Sequence, residues 1–182
     1  MTCRMLVAGV GNIFLGDDGF GVEVARRLAA FDLPGWVRVA DYGISGMHLA
    51  YDLAEGYDTT IVIDASPRGG EPGTVYVMEV EVGGPAAAAE SPLLLDAHGM
   101  QPHVVFGMLD MLGAEAGRVL VVGCEPASTD EGIGLSAPVA AAVDEAVRVV
   151  LDLVRSAGPT GGPPSREDSQ RPGMAAGNRR RG

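Results

Sequence analysis

Apolar and polar positions along this chain follow two periods, and the switches between them mark its elements. Residues 6–10 (Leu6, Val7, Ala8, Val10) form a short apolar run punctuated by Gly9, Gly11 and Asn12, as a buried strand would. A helical period takes over near Gly19: Phe20, Val24 and Leu28 share a stripe that Val22, Ala25 and Ala29 widen. Pro34 and Gly35 mark a turn, and residues 36–40 form a second strand. Ser45 is a natural N-cap for a helix over 46–54, with Met47, Ala50, Tyr51 and Ala54 on one face and Gly56 as its stop. Residues 59–64, TTIVID, are apolar up to a final acid, which suits a parallel strand buried on both faces. The link from Asp64 to Thr74 is too short for a crossover helix, so residues 74–82 are expected as an antiparallel edge strand. Pro102 opens a helix striped by Val104, Met108, Met111 and Leu112. GRVLVVGCEP is the last strand. Ser136 is expected to cap a final helix over 137–156, with Val139, Val143, Val147, Val150 and Val154 inward and Asp144, Glu145, Arg148, Asp152 and Arg155 outward.

Strands alternating with helices predict an α/β fold: a three-layer α/β/α sandwich on five mostly parallel strands, with one antiparallel edge. In a doubly wound sheet of order 2-1-3, strands one and three are neighbours, and ligands bind at the carboxyl ends where the winding reverses. That places Asp18, in the turn after strand one, beside Asp64 at the end of strand three. Asp17 or Asp18 could instead cap the first helix, and Asp64 could cap the turn after it. A dinucleotide fingerprint is absent: Gly9 and Gly11 are followed by Leu15 and Gly16 at the wrong spacing, and acids at the turn would repel a pyrophosphate. A P-loop is excluded because the chain has no lysine. The turn suits a cation or an electropositive ligand.

Composition narrows the partners. The chain has 182 residues, 47% of them hydrophobic, which is one globular domain by size. Its net charge of −11 is uneven. Residues 157–182 hold five arginines against Glu167 and Asp168, so residues 1–156 carry −14. Nucleic acid is a poor partner for such a body. The 157–182 segment, rich in Gly, Pro and Arg, is expected to be a disordered tail behind a 1–156 domain. No apolar run is long enough to span a membrane, and the N-terminus lacks a signal-peptide pattern, so a cytoplasmic protein is expected. Cys3 and Cys124 have no metal-site spacing.

The stretch GVGNIFLGDDGFGVEVARRL resembles the hydrogenase maturation endopeptidase family, with its G-x-G-N opening, paired acids before glycine, and helix. GISGM, HGMQPHVVFGML and STDEGIGLSAP extend the resemblance over about residues 4–155. The resemblance implies that His98, opening the loop before the Pro102 helix, joins Asp18 and Asp64 as catalytic and metal-contacting residues, while His103 and His48 do not. Two carboxylates and an imidazole suit a divalent metal of borderline hardness. In this family that metal is nickel carried by the substrate, with no resident organic cofactor. The implied activity is removal of the C-terminal extension of the nickel-iron hydrogenase large-subunit precursor, the transient partner of a monomeric enzyme. Many relatives have Glu where this chain has Asp18, one methylene shorter. Two other readings stay open: a metallohydrolase with a resident divalent metal, and a non-catalytic α/β binding module whose acids are only caps.

Overall fold

The computed structural model describes residues 4–80 and 117–158. His98, His103, the helix expected from Pro102 and the tail beyond Gly158 lie outside the described residues. The elements are β1 (Met5–Val10), a 3-10 turn (Gly16–Gly19), α1 (Phe20–Leu28), β2 (Val37–Gly43), α2 (Gly46–Ala54), β3 (Thr59–Ala65), β4 (Val75–Val80), β5 (Arg118–Cys124) and α3 (Ala137–Ser156).

They build one five-stranded sheet of order β2-β1-β3-β5-β4. The pairs β1–β2, β1–β3 and β3–β5 are parallel, and β4 joins β5 antiparallel. The 2-1-3 winding and the antiparallel edge are those the sequence predicts. Strand β2 runs to Gly43, three residues past the expected end, because it keeps pairing with β1 (Gly9 opposite Asp41, Val10 opposite Gly43).

Side-chain alternation in β1 divides the interior. Met5 and Val7 point to one face, where they meet Phe20, Val24 and Leu28 of α1, Ile61 and Ile63 of β3, and the five inward valines of α3. Leu6, Ala8 and Val10 point to the other, against Tyr42, Tyr57 and α2. Strand β1 is buried along its whole length, as a central parallel strand should be. Each fully buried Val, Leu or Ile contributes about 1.5–3 kcal/mol, so this doubly packed strand is a major source of stability.

The first helix opens at Phe20, next to the expected start near Gly19, behind a 3-10 turn. Two local expectations change. The packed face of α2 is Leu49, Ala50 and Leu53, whereas Met47 and Tyr51 are exposed. Both stripes satisfy helical spacing, and the Leu6–Ala8–Val10 surface selects the aliphatic one. Neither Ser45 nor Ser136 makes a side-chain cap hydrogen bond to its helix.

Candidate functional site

The loop from β1 into α1 folds back tightly on itself. Gly11 has φ +127°, and a Cβ there would lie 1.8 Å from the Asp18 carbonyl oxygen, so no other residue fits. The Asn12 N–H donates to Asp18 Oδ2 at 2.5 Å, and Phe14 N–H donates to Asn12 Oδ1 at 3.0 Å. Behind the turn, Gly21 presses α1 onto the sheet. A Cβ at Gly21 would lie 2.0 Å from the Ile63 carbonyl oxygen and 2.4 Å from that of Val10. The start of α1 is thereby seated on the carboxyl ends of β1 and β3, and the acids of the turn are held at the winding reversal.

The two adjacent acids have different surroundings. Asp17 is 1% exposed and turns away from the β1–β3 edge toward the loop between β5 and α3. Its Oδ2 accepts from Ala127 N–H (2.8 Å), Ser128 N–H (3.1 Å) and Ser136 Oγ (2.8 Å), and its Oδ1 from Ser136 N–H (2.6 Å). In return Asp17 N–H donates to the Ser128 carbonyl at 3.1 Å. Burial pushes the Asp17 pKa up, but the hydrogen bonds from Ser136, Ser128 and Ala127 outweigh it, and the carboxyl sits below its ordinary value. Asp17 thus caps a helix, but it is α3, more than a hundred residues away, and its negative charge at that N-terminus is favourable. The Ser136 hydroxyl, expected to cap α3, is bound to Asp17 instead. The N-cap position of α1 is Gly19, so neither acid occupies it.

Asp64 ends β3, half-buried, and its Oδ2 accepts from Ser66 Oγ at 3.0 Å. Ser66 is itself fixed: its N–H donates to the Cys124 carbonyl (3.0 Å), and its carbonyl accepts from Tyr76 Oη (2.9 Å). Burial, with the charges of Asp64 and Glu125 nearby, pushes the Tyr76 phenol up to about 12, so it stays a hydrogen-bond donor at neutral pH. Sequence reasoning missed Glu125. It is 6% exposed and its carboxylate accepts from Arg68 N–H (2.7 Å) and Gly69 N–H (3.1 Å), which fastens the loop after Asp64. The signal was there, since Glu125 also ends a strand at this edge. Asp41 does the same for β2, accepting from Gly43 N–H at 3.0 Å and lying 3.5 Å from Arg26. His48 is an exposed residue of α2, as expected. Buried Cys124 is a free thiol pushed up to about 12 by desolvation and neighbouring carboxylates, so it is inert as a nucleophile.

The sequence-predicted pair Asp18 and Asp64 therefore stands at the carboxyl ends of neighbouring strands, each with one oxygen oriented by a fixed donor. Such carboxylates are hard oxygen donors for a cation, and an imidazole would complete a borderline set. Among the described residues no three His, Cys, Asp or Glu side chains come together to hold a metal ion. The third predicted ligand, His98, lies outside them. No helix among the described residues is long and apolar enough to cross a membrane.

Comparison with known proteins points one way. The family model described as hydrogenase maturation protease matches residues 22–153. The chain is 33% identical over 163 residues to the hydrogenase 2 maturation protease of Escherichia coli, covering 85% of this chain and 93% of that one. It is 33% identical over 157 residues to the hydrogenase expression/formation protein HupD of Rhizobium leguminosarum, covering 85% and 76%. Among solved structures it resembles the hydrogenase maturating endopeptidase HybD of Escherichia coli, with TM-score 0.73, 33% identity, and coverage of 85% and 94%.

Proposed function

The chain belongs to the hydrogenase maturation protease family and is a peptide-bond hydrolase, and on that premise we propose that it trims the precursor of a nickel-iron hydrogenase large subunit after nickel insertion. The bond cleaved is the one that joins the C-terminal extension to the mature subunit. Asp18 and Asp64, with His98, meet nickel that the precursor carries. The observation that supports this is the placement of two carboxylates at the adjacent ends of β1 and β3, at the reversal of the winding.

Hydrolysis adds water across one peptide bond: oxygen goes to the carbonyl carbon and a proton to the departing amine. Asp18 and Asp64 supply oxygens that fix the metal-bearing end of the substrate relative to the sheet. Nickel can serve as the handle that is recognised, or also as a Lewis acid on the scissile carbonyl or the attacking water. On this reading the protein works as a monomer in the cytoplasm, without a resident organic cofactor.

The test is cleavage of nickel-loaded and nickel-free precursor by the wild type and by Asp64→Asn and His98→Ala. Nickel-dependent removal of the extension, lost in both variants by about a hundredfold or more, supports the proposal. Equal cleavage of nickel-free precursor, or full activity in the variants, contradicts it. Precursor reloaded with another divalent ion separates the two roles of nickel: a handle leaves kcat insensitive to the ion, and a Lewis acid makes kcat follow it.

A further inference from the structure

Three loops crowd the carboxyl edge of the sheet, and each leaves large apolar side chains in water. The loop after β1 exposes Phe14 (61%) and Ile13 (36%), the turn into α2 exposes Ile44 (59%) and Met47 (55%), and the loop before α3 exposes Ile133 (83%). These are five of the eight large hydrophobic residues exposed among the described residues. Single exposed apolar residues are ordinary, but apolar residues concentrated at one end of a molecule mark an interaction site. The loops are also joined directly. Gly11 N–H donates to the Gly43 carbonyl (2.9 Å), Gly132 N–H to the Phe14 carbonyl (2.9 Å), and Gly16 N–H to the Gly132 carbonyl (2.9 Å). The rim is therefore continuous with the segment that holds Asp18, and its geometry is set before any partner arrives.

We propose that Ile13, Phe14, Ile44, Met47 and Ile133 form a docking rim for a folded polypeptide substrate, binding an apolar face of the precursor bordered by basic side chains. This rests on the functional reading above and adds where the precursor's folded body is held. Charge selects the occupant. Exposed Asp130 and Glu131 stand beside Ile133 on the same loop. Arg26 and Arg27 line the hollow that Ile13 and Ile133 share, but they are paired with Asp41 and with Glu23 and Asp144, so acids predominate at this border. Two copies of this chain meeting through such a face would repel each other, whereas a basic-bordered partner would be attracted. The loop backbones, already hydrogen-bonded to one another, lose little conformational freedom on binding.

The experiment is steady-state processing of nickel-loaded precursor by the full-length protein. The rim pairs Phe14→Ser/Ile133→Ser and Ile44→Ser/Met47→Ser are compared with the pair Phe31→Ser/Val77→Ser, also exposed (48% and 44%) but on other elements. Each rim pair is expected to raise KM about tenfold, with kcat within about twofold. Wild-type KM is expected to rise with salt, and the Phe31/Val77 pair to match the wild type. Ile133→Ser alone, at a site 83% exposed, cannot disturb the core and is expected to raise KM about threefold, so a folding defect in a double variant does not decide the outcome. Unchanged KM in the rim variants, an equal rise in the Phe31/Val77 pair, or a rim-dependent dimer in sedimentation velocity overturns the docking rim. Failure of the wild type to cleave the precursor overturns the functional reading itself, and the rim with it.

Discussion

Asp17 and Asp18 are sequence neighbours, yet the regions they serve differ in kind. On the Asp17 side the carboxylate is buried and bound by four donors from the loop before α3. On the Asp18 side the carboxylate, also buried at 7% exposed, takes an N–H from Asn12 within its own loop and lies toward the carboxyl ends of β1 and β3, where Asp64 also lies. The first region closes the fold, and the second is where the proposed function places the chemistry. The difference teaches that two adjacent acids at a strand end need not share one role. One can hold the turn still so that the other is placed.

The largest effect should come from a change that damages both regions at once. Gly21→Ala would drive a methyl group into the backbone carbonyls of Ile63 and Val10. Backbone atoms of two central strands cannot move aside, so a loss of about 4 kcal/mol or more is expected. Thermal unfolding of the variant measures it, and an unchanged Tm would refute the close packing that seats the turn.

Asp17→Ala should cost less, about 3 kcal/mol, because it leaves three part-buried N–H groups and a hydroxyl without their acceptor. For a chain of this size that is a fall in Tm of about 10 °C. The same carboxylate predicts a pH signature. Its folded pKa lies below the ordinary value, so its stabilisation is complete above the unfolded-chain value of about 3.9 and is lost as pH falls through the folded pKa. Denaturant unfolding at pH values from about 6 down to 3 should show a steeper acid-side loss in the wild type than in Asp17→Asn. Parallel slopes would contradict the anchoring role.

Much of this architecture was legible in the sequence. The TTIVID run and the short link after Asp64 fixed the winding and the antiparallel edge, because strand length and crossover length leave few alternatives. The valine stripe of α3 named its buried face. The role of Asp17 was not legible, since its partners lie 110 to 119 positions away and three of its four bonds come from backbone N–H groups, which carry no residue-type signal. The packed face of α2 was ambiguous for another reason: two apolar stripes fit the same period, and only the sheet beneath chooses. Glu125 was overlooked because a glutamate before proline reads as a strand terminator.

Ser136→Ala gives the smallest and sharpest check on the Asp17 region. It removes the hydroxyl bond to Oδ2 but keeps the Ser136 N–H bond to Oδ1. The expected loss is about 1 kcal/mol, additive with nothing at the Asp18–Asp64 edge, so processing activity should be unchanged at temperatures where the variant is folded.

The most direct measurement is a side-by-side study of Asp17→Asn and Asp18→Asn, reading Tm and cleavage of nickel-loaded precursor on the same preparations. The account predicts that Asp18→Asn keeps Tm within about 2 °C while cleavage falls about a hundredfold, and that Asp17→Asn loses about 5–10 °C while cleaving within about tenfold of the wild type. Wild-type cleavage by Asp18→Asn, or a stable but inactive Asp17→Asn, would contradict the division of labour between the two acids.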